Sequence, residues 1–468
     1  MPDERPNLIV VVSDTLRTAH MGCYGNPNIR TPNLDAFAAE SAVFDAAYPE
    51  SLPTIPVRRA LHTGRRAYPF RDYRPIPWDI VYLPGWQPMA DDESTLAEDL
   101  ARAGYHTGFA TDTLPYFQPG LNFTRGFWQW EYLRGQQQDR WKSPAIVSDQ
   151  RLSRFGDPSA LREQGPYNTV MRHAANTAHV RDAKDTSTWR TFDWGIQFIQ
   201  ENAALQPFYL MLDCFDPHEP WEAPAAYHGI YADLEFSDET IIHTHYGPAE
   251  GRYSDAQVRN ILAHYCGLVT LVDTCFGRLM SALDDAGLRG NTCVAFISDH
   301  GTNFVSDNPE GIIGKPSYAL YPGVMHVPLM VRFPDGAGRG RRFDQLVYNL
   351  DLVGTLYGLA GIDPGQPIDG QDLRALVSGG DWRPRHYLTS RYGDTCWYRD
   401  ETHWAIIDVQ GAPRAIFDLR TDPGCMNDIA ESVPEVAERA WARILADGDG
   451  EMPVYVNGKR TDAIGGKE

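Results

Sequence analysis

Short apolar runs of strand length recur along the chain and alternate with helical patterns. The runs are rich in β-branched and aromatic residues, and they cover residues 7–13, 104–110, 207–213, 292–298 and 327–333. Apolar residues at helical spacing occupy 95–103, 191–204 and 255–286. A strand that is apolar on both faces is typical of the buried centre of a parallel sheet. The alternation predicts an α/β fold with a doubly wound, mostly parallel central sheet sandwiched by helices.

The pattern changes after residue 378. Alternating strand-like segments at 385–391, 403–409 and 413–418 precede a helical segment at 434–446. They predict a small C-terminal antiparallel sheet with a terminal helix. We therefore predict a main α/β domain, a small antiparallel α+β domain and a polar tail, at 1–378, 379–456 and 457–468. Residues 115–190 are rich in Trp, Gln, Arg and Pro, and we interpret them as a substrate-shaping excursion over the sheet edge.

The net charge and the cysteine content indicate which partners and which cellular compartment to expect. The 468 residues include 42 basic and 62 acidic ones, a net charge of −20. Such a surface argues against a nucleic acid polymer or an anionic membrane as the main partner. No run of about eighteen apolar residues predicts a membrane span, and no secretory signal pattern is seen. The seven cysteines form no CxxC pair, so we expect a cytoplasmic protein with reduced thiols.

Polar residues follow two of the predicted strands at the point where each strand ends. Asp14 follows the first strand, and Asp299 and His300 follow the strand at 292–298. Because ligands of doubly wound sheets bind beyond the carboxyl ends of strands, we expect these side chains to meet there. Two carboxylates and an imidazole suit a divalent cation. A lone strand-end Asp is more often a turn former, so the prediction depends on the three occurring together.

A third segment combines a hydroxyl residue with an arginine. Pro56 suits the first turn of a helix, which places Thr54 at the helix N-terminus and Arg58 one turn later. Free amides and the helix dipole there favour an anion and lower the cost of an alkoxide. Taken by itself, Thr54 is more readily interpreted as a simple helix cap.

Taken together, these segments resemble the sulfatase branch of the alkaline phosphatase superfamily over nearly the whole chain. Each motif alone is weak evidence for the family. The complete set, in the order in which the family has it, is specific. The motifs are Asp14, Thr31-Pro-Asn-Leu-Asp35, Thr54-x-Pro56-x-Arg58 with Thr63-Gly64-Arg65, Asp216-Pro-His218, Asp299-His300-Gly301, Gly314-Lys315, His326-Val-Pro, Asp369-Gly-Gln-Asp-Leu373 and Ile416-Phe-Asp-Leu419 with Asp422-Pro423.

The resemblance implies a role for each matching residue. Asp14, Asp299 and His300 would hold one divalent metal ion such as Mn, Zn or Ca, with Thr54 as a further ligand and the nucleophile. The anion would be contacted by the basic residues Arg58, Lys315 and His218.

Two further assignments are less specific. His218 or His326 would protonate the leaving oxygen, as an imidazole can near neutral pH. Trp221 would line the leaving-group pocket together with Trp128–Tyr132, and ordinary packing accounts for these aromatic residues at least as well.

The chain departs from the family pattern at the nucleophile. Sulfatases carry Cys or Ser there, which maturation converts to formylglycine, and Thr54 cannot form that aldehyde because its Cβ carries a methyl group. Ser51 is three residues out of register. A phosphothreonine, in contrast, can be hydrolysed by in-line attack of water. Threonine nucleophiles occur in related pyrophosphatase/phosphodiesterases and phosphoethanolamine transferases.

Two more departures concern the metal site. Asp14 is followed by Thr15, where many sulfatases have a second aspartate and phosphonate monoester hydrolases have a non-acidic residue. His326 stands where the family commonly has an Arg, and with Asp213, Asp216 and His218 it leaves open a second metal site.

We therefore expect a metal-dependent hydrolase of phosphate or phosphonate esters that uses Thr54 as nucleophile. Its partner would be a small anionic ester, and homo-oligomerisation is left open. The alternatives are a sulfuric ester hydrolase that uses unmodified threonine, a soluble phosphoryl transferase, and a catalytically lapsed binding protein.

Overall fold

The computed structural model describes residues 5–71, 73–77, 81–118, 120–165 and 168–461, and it confirms the predicted α/β class. In chain order, the strands are β1 (Asn7–Ser13), β2 (Ala42–Phe44), β3 (Ala47–Tyr48), β4 (His106–Thr111), β5 (Gln129–Tyr132), β6 (Phe208–Cys214), β7 (Gly247–Pro248), β8 (Thr292–Ser298), β9 (Ile312–Ile313), β10 (Leu329–Arg332), β11 (Arg342–Phe343), β12 (Val347–Tyr348), β13 (Tyr387–Tyr392), β14 (Thr395–Asp400), β15 (His403–Asp408), β16 (Pro413–Asp418), β17 (Val454–Val456) and β18 (Lys459–Thr461). The α-helices are α1 (Pro32–Ala39), α2 (Thr54–Thr63), α3 (Leu96–Arg102), α4 (Asp149–Leu152), α5 (Pro158–Glu163), α6 (Thr169–Asn176), α7 (Ser187–Asn202), α8 (Ala225–His228), α9 (Asp255–Asp285), α10 (Pro322–Met325), α11 (Asp351–Ala360), α12 (Leu373–Ser378) and α13 (Pro434–Asp447).

The main sheet has eight strands in the order β11-β2-β10-β8-β1-β6-β4-β5. The strands from β8 to β5 are parallel to their neighbours, whereas β10 is antiparallel to both β8 and β2. Among the described residues between β8 and β10, the one α-helix is the four-residue α10. No long crossover helix therefore carries the chain back to the start of the sheet, and β10 runs in the opposite direction.

Strand β1 shows why its sequence is an unbroken apolar run. Leu8, Val10 and Val12 pack into the core on one face of the sheet, and Ile9 and Val11 pack into the core on the other face. Helices therefore cover both faces, which is the condition under which a parallel strand loses polar alternation.

Helix α9 is 31 residues long, and by length and composition it could cross a membrane, with a mean hydropathy of 1.3 over its most apolar window. That window is 72% buried within the protein. Its apolar residues, including Leu268, Val272 and Phe276, belong to the core beneath the main sheet. The hydropathy of α9 therefore has an explanation in core packing.

The C-terminal region contains the antiparallel sheet β13-β14-β15-β16, against which α13 packs. Strand β14 was not among the predicted segments, because it ends in charged residues that interrupt the apolar pattern. The residues predicted as a polar tail begin in the turn between β17 and β18, and residues 462–468 lie outside the described part of the chain. Tyr455 on β17 donates a hydrogen bond of 2.5 Å to the Phe70 carbonyl oxygen, which ties the hairpin to the main body.

The C-terminal sheet also contacts the segment directly before α2. Leu52 forms a parallel bridge with Tyr392, and the Leu52 amide donates to the Arg391 carbonyl oxygen at 2.9 Å. The chain therefore enters α2 from a position that the C-terminal sheet supports.

The excursion at 115–190 contributes the edge strand β5 and the helices α4 to α6. These helices share a small core of their own, which includes Leu152, Phe155 and Met171. Trp128 and Trp130 belong to the edge-strand region and are 66% and 48% exposed.

Candidate active site

Asp14, Asp299 and His300 follow the carboxyl ends of two neighbouring parallel strands. Ser13 of β1 pairs in register with Ser298 of β8, so the residues that follow lie side by side at one sheet edge. One ligand atom from each of the three lies within 4.8 Å of the other two, and all three side chains are buried. The structure thus brings together the three residues that the sequence suggested as metal ligands.

The imidazole of His300 is oriented as a ligand. Its Nδ1 lies 3.1 Å from the Gly301 carbonyl oxygen, which can only accept, so Nδ1 carries the proton. Nε2 then offers a lone pair, and it lies 3.4 Å from Asp299 Oδ2 and 3.5 Å from Thr54 Oγ1. Burial lowers the pKa of His300, which keeps the ring neutral and able to bind a metal.

The two aspartates respond in opposite ways to this buried setting. Burial and the neighbouring Asp299 raise the pKa of Asp14 well above its usual range. For Asp299, burial acts in the same upward direction, but His300 and Arg58 outweigh it and lower its pKa. The pair therefore favours one shared cation between its carboxylates.

Thr54 is the first residue of α2, and its side chain is 5% exposed. The placement of Pro56 in the first turn agrees with the predicted helix start. The hydroxyl oxygen lies 3.5 Å from Nε2 of His300. Thr54 Oγ1 is therefore next to the three suggested metal ligands at a helix N-terminus, where negative charge is stabilised.

Arg58 differs from the expectation of a direct anion contact. Its five N–H donors are all engaged: Nε with Asp213, Nη1 with Asp299 and the Thr54 carbonyl oxygen, and Nη2 with Asp14 and Asp213. Burial disfavours its charge, but Asp213, Asp299 and Asp14 hold its pKa well above the ordinary value. Arg58 is thus a buried cation that positions the acidic ligands and the backbone of Thr54.

Thr15 and Glu219 belong to the site and were not predicted as functional residues. Thr15 has a φ of 63°, which is strained for a β-branched residue, and its hydroxyl donates to Asp14 Oδ1 at 2.7 Å. Lys315 Nζ lies 3.3 Å from Thr15 Oγ1 and 3.1 Å from Glu219 Oε2. The sequence signal for Glu219 was its position beside His218 between two prolines, and for Thr15 its position after Asp14.

His218 lies at the same edge, beyond β6. Its Nδ1 is 2.5 Å from the Glu219 carbonyl oxygen, so Nδ1 donates and Nε2 keeps a lone pair. Burial lowers the pKa of His218 to about 4, against the opposing effect of Glu219. The ring is therefore neutral near neutral pH, which suits an acceptor better than the proton donor that the sequence suggested.

The balance of charges in the site fits a divalent cation. Four buried carboxylates, Asp14, Asp213, Asp299 and Glu219, face two buried cations, Arg58 and Lys315. Hard oxygen donors with one imidazole nitrogen form a donor set for Mn, Zn or Ca. A divalent ion at Asp14, Asp299 and His300 would offset the excess negative charge before an anionic ester binds.

The residues considered for a second metal site do not meet. Asp213 pairs with Arg58 and accepts from Tyr116 Oη at 2.6 Å, and Asp216 accepts from Thr188 Oγ1 at 2.8 Å. Within the described ranges, the one cluster with metal-ligand spacing is that of Asp14, Asp299 and His300.

His326 and Trp221 lie away from Thr54. Both ring nitrogens of His326 are engaged, with the Asp45 carbonyl oxygen at 2.7 Å and Thr18 Oγ1 at 3.1 Å, and its ring stacks on Tyr48. Trp221 is fully buried, where Nε1 donates to the Pro217 carbonyl oxygen. Neither residue is among those that line the cavity beside Thr54.

A cavity of about 360 Å³ opens beside Thr54. His218 and Lys315 also line it, as do Gln137 from the excursion and Tyr392 from the C-terminal sheet. The main sheet, the excursion and the C-terminal sheet therefore all contribute to one pocket.

Comparison with known proteins identifies a family to which the chain is similar. The family model described as Sulfatase matches residues 6–362, and the model described as N-sulphoglucosamine sulphohydrolase, C-terminal, matches residues 317–440. An arylsulfatase of Clostridium perfringens is 24% identical over 500 residues, which cover 97% of each chain. The multifunctional alkaline phosphatase superfamily protein PehA of Trinickia caryophylli is 23% identical and covers 96% of this chain and 97% of the relative.

Solved structures share the fold. The phosphonate monoester hydrolase of Agrobacterium radiobacter has a TM-score of 0.71 and 21% identity, and the match covers 95% of both chains. This likeness and the sulfatase match confirm the resemblance that the motifs suggested. The chain belongs to the sulfatase family of the alkaline phosphatase superfamily, whose members are hydrolases that use a divalent metal ion.

Proposed function

We propose that this protein hydrolyses phosphate or phosphonate esters through Thr54. The observation that carries the proposal is the position of the Thr54 hydroxyl, 3.5 Å from Nε2 of His300 at the start of α2. Formylglycine chemistry needs a Cys or Ser precursor, and the methyl group on the threonine Cβ excludes it. A threonyl ester of phosphorus can still be cleaved by water.

The proposed reaction has two in-line steps. The Thr54 hydroxyl gives up its proton to solvent as its oxygen attacks phosphorus, the bond from phosphorus to the leaving oxygen breaks, and the leaving oxygen takes up one proton from solvent. Water then attacks the phosphothreonine and loses one proton, the bond between Thr54 Oγ1 and phosphorus breaks, and the Thr54 oxygen takes up one proton, which restores the hydroxyl. Nε2 of His218 has a lone pair that can accept the proton from water, since the ring is neutral.

Other side chains of the site act by charge and position. Lys315 lines the cavity and offers its ammonium group to a nonbridging ester oxygen. Arg58 holds the Thr54 carbonyl oxygen and the acidic ligands in place. A divalent ion held by Asp14, Asp299 and His300 would supply Lewis acidity and offset charge on the transferring group.

Sulfate ester hydrolysis by the unmodified threonine is the second candidate. It is favoured by relatives named as sulfatases, such as the Clostridium perfringens arylsulfatase and the N-acetylgalactosamine-6-sulfatase of Canis lupus familiaris, which is 28% identical. The phosphonate monoester hydrolase fold and the protein PehA support the first candidate.

One assay separates the two candidates. Metal-stripped protein is reloaded with Mn, Zn or Ca and given aryl phosphate monoester, aryl phosphodiester, aryl phosphonate monoester and aryl sulfate. We expect metal-dependent cleavage of phosphorus esters to exceed that of sulfate. Dominant sulfate turnover would overturn the proposal in favour of the second candidate.

The nucleophile is tested by Thr54→Ala, with Thr274→Ala on α9 as a matched control. Thr54→Ala should abolish turnover while metal content stays intact, and Thr274→Ala should leave both unchanged. Retained turnover in Thr54→Ala would exclude Thr54 as nucleophile.

A further inference from the structure

The cavity beside Thr54 has a lining of mixed chemistry. Lys315 and His218 line it together with Thr54, and among the described lining residues Lys315 is the one charged side chain. Most of the other lining side chains are apolar or aromatic, and they include Val81, Leu83, Trp86, Phe215, Tyr246 and Tyr392. A leaving group bound in this cavity would therefore meet mostly carbon surface.

The apolar wall is open to solvent at its rim. Val81, Leu83 and Tyr246 are half-buried, whereas Phe215 and Trp86 are 1% and 3% exposed and form the deeper part. An apolar surface in a concave site gains free energy when a ligand displaces water from it. The part of the rim formed by Val81, Leu83 and Tyr246 therefore favours an apolar group over a charged one.

Lys315, which lines the cavity, and Arg58, which contacts the Thr54 backbone, are both paired with carboxylates. Lys315 lies 3.1 Å from Glu219 Oε2, and the five donors of Arg58 are engaged by carboxylates and the Thr54 carbonyl oxygen. Lys315 is the one cation among the described lining residues, and in the proposed reaction it contacts the ester group, so a second negative charge on the leaving group, such as a uronate or a further sulfate, would find no further cation among them. Such a charge would lose its hydration without compensation.

Polar side chains of the cavity other than Thr54, His218 and Lys315 are uncharged among the described lining residues. Gln137 and Gln138 both line the cavity, and Gln138 Nε2 donates to Thr169 Oγ1 at 3.1 Å. Gln137 has a φ of 39°, a conformation that costs free energy for a residue with a side chain. Strained residues cluster at ligand sites, and an amide at this position suits an ether or hydroxyl oxygen.

We infer that the leaving group of the substrate is an uncharged, largely apolar alcohol of aryl or alkyl type, and not an anionic sugar. The inference rests on the site of the proposed function and names its substrate class. Val81, Leu83, Trp86, Phe215 and Tyr246 determine this specificity by contact with the leaving group.

The test measures binding of unreactive compounds, so it does not depend on turnover. Isothermal titration calorimetry compares methylphosphonate, benzylphosphonate and para-carboxybenzylphosphonate on the metal-loaded protein. Benzylphosphonate should bind about tenfold tighter than methylphosphonate, because its ring occupies the apolar wall. The added carboxylate should cancel that gain.

A pair of matched variants locates the effect. Leu83→Lys places a cation at the rim, so it should weaken benzylphosphonate binding and tighten para-carboxybenzylphosphonate binding, each by about tenfold. Leu234→Lys makes the same change at a residue that is 94% exposed and outside the cavity, and both affinities should be unchanged.

Two results would overturn the inference. One is equal affinity for methylphosphonate and benzylphosphonate, and the other is tighter binding of the carboxylated compound by the unaltered protein. The ester assay decides the proposed function separately, because it measures which bond is cleaved.

Discussion

Arg58 and Asp213 form a bidentate ion pair in which neither side chain is exposed. Nε and Nη2 of Arg58 each lie 2.8 Å from a carboxylate oxygen of Asp213. The pair holds the guanidinium so that its remaining donors reach Asp299 and Asp14. Asp213 is therefore a positioning residue for both acidic metal ligands.

Asp213→Asn should be strongly destabilising. Removal of one charge from a buried pair costs about 3–5 kcal/mol of the free energy of unfolding. Here Arg58 would lose its bidentate partner, and Asp14 and Asp299 would offset its charge only in part. Urea denaturation measures the loss, and metal content should fall with it. Asp45→Asn is the control, since the Arg342–Asp45 pair is 44% and 33% exposed and its loss should cost about 1 kcal/mol or less. Equal effects of the two changes would contradict the role of Asp213.

Lys315→Met should lower kcat/KM by about a hundredfold, because a preorganised cation is lost where negative charge develops. The change also leaves buried Glu219 without its ion pair, so stability falls too. The double variant Lys315→Met with Glu219→Gln should regain stability in thermal unfolding but not activity. Recovery of activity in the double variant would assign Lys315 a purely structural role.

Thr54→Cys should change the chemistry of the site. It creates Cys-x-Pro-x-Arg, the sequence pattern that sulfatase maturation converts to formylglycine. After co-expression with the maturation enzyme, mass spectrometry should detect the aldehyde, and the ratio of sulfate to phosphorus ester turnover should rise. Thr54→Ser, expressed without that enzyme, should keep the original preference. An aldehyde-containing protein with an unchanged ratio would refute the link between threonine and phosphorus chemistry.

Metal binding should release a proton. Burial and Asp299 raise the pKa of Asp14, so the metal-free carboxyl stays protonated at pH values where an ordinary aspartate is ionised. The ion must displace that proton, and the affinity for Mn should therefore fall as the pH drops to about 6. Calorimetry in buffers of different ionisation enthalpy measures the released proton. Release that does not increase between about pH 8 and pH 6 would argue against Asp14 as a ligand.

The buried carboxyl of Asp216 should make stability depend on pH. Burial, and then Asp112, raise its pKa from 3.8 to about 7. The folded state therefore binds the proton more tightly than the unfolded state. The free energy of unfolding should fall by roughly 4 kcal/mol as the pH rises from about 4 to about 7. Asp216→Asn should reduce the dependence measured by urea denaturation by the contribution of this one carboxyl, whereas Asp344→Asn at an exposed position should preserve it. An unchanged slope in Asp216→Asn would contradict the assignment.

The main sheet and the suggested metal ligands were predictable because the order of apolar and polar residues within short segments is sufficient to locate them. Apolar runs bounded by polar residues predicted the segments that form β1, β6 and β8, and strand ends meet at one edge by the geometry of parallel sheets. Asp14, Asp299 and His300 were found from this rule alone.

Contacts between distant segments were not predictable from pattern. The Arg58–Asp213 pair joins residues 155 positions apart, and the role of Glu219 depends on Lys315, 96 positions away. His326 was suggested as a proton donor from its place before Val327-Pro328, where the family commonly has an Arg, but its ring contacts the Asp45 carbonyl oxygen and Thr18 Oγ1. The spacing of apolar residues shows which face of a helix or strand is buried. It does not show which side chains of distant segments contact that face.

The bridge between Leu52 and Tyr392 bears on how this enzyme could be shortened or recombined. Tyr392 also lines the cavity, so the C-terminal sheet supplies a wall of the pocket and a support for the segment before Thr54. A chain truncated before this sheet would lose the pocket wall and the support for the segment before Thr54. We therefore do not expect the α/β domain alone to be active. Exchange of the sheet between homologues would instead be a way to alter substrate selectivity. The exchanged sheet would have to keep a backbone partner for Leu52.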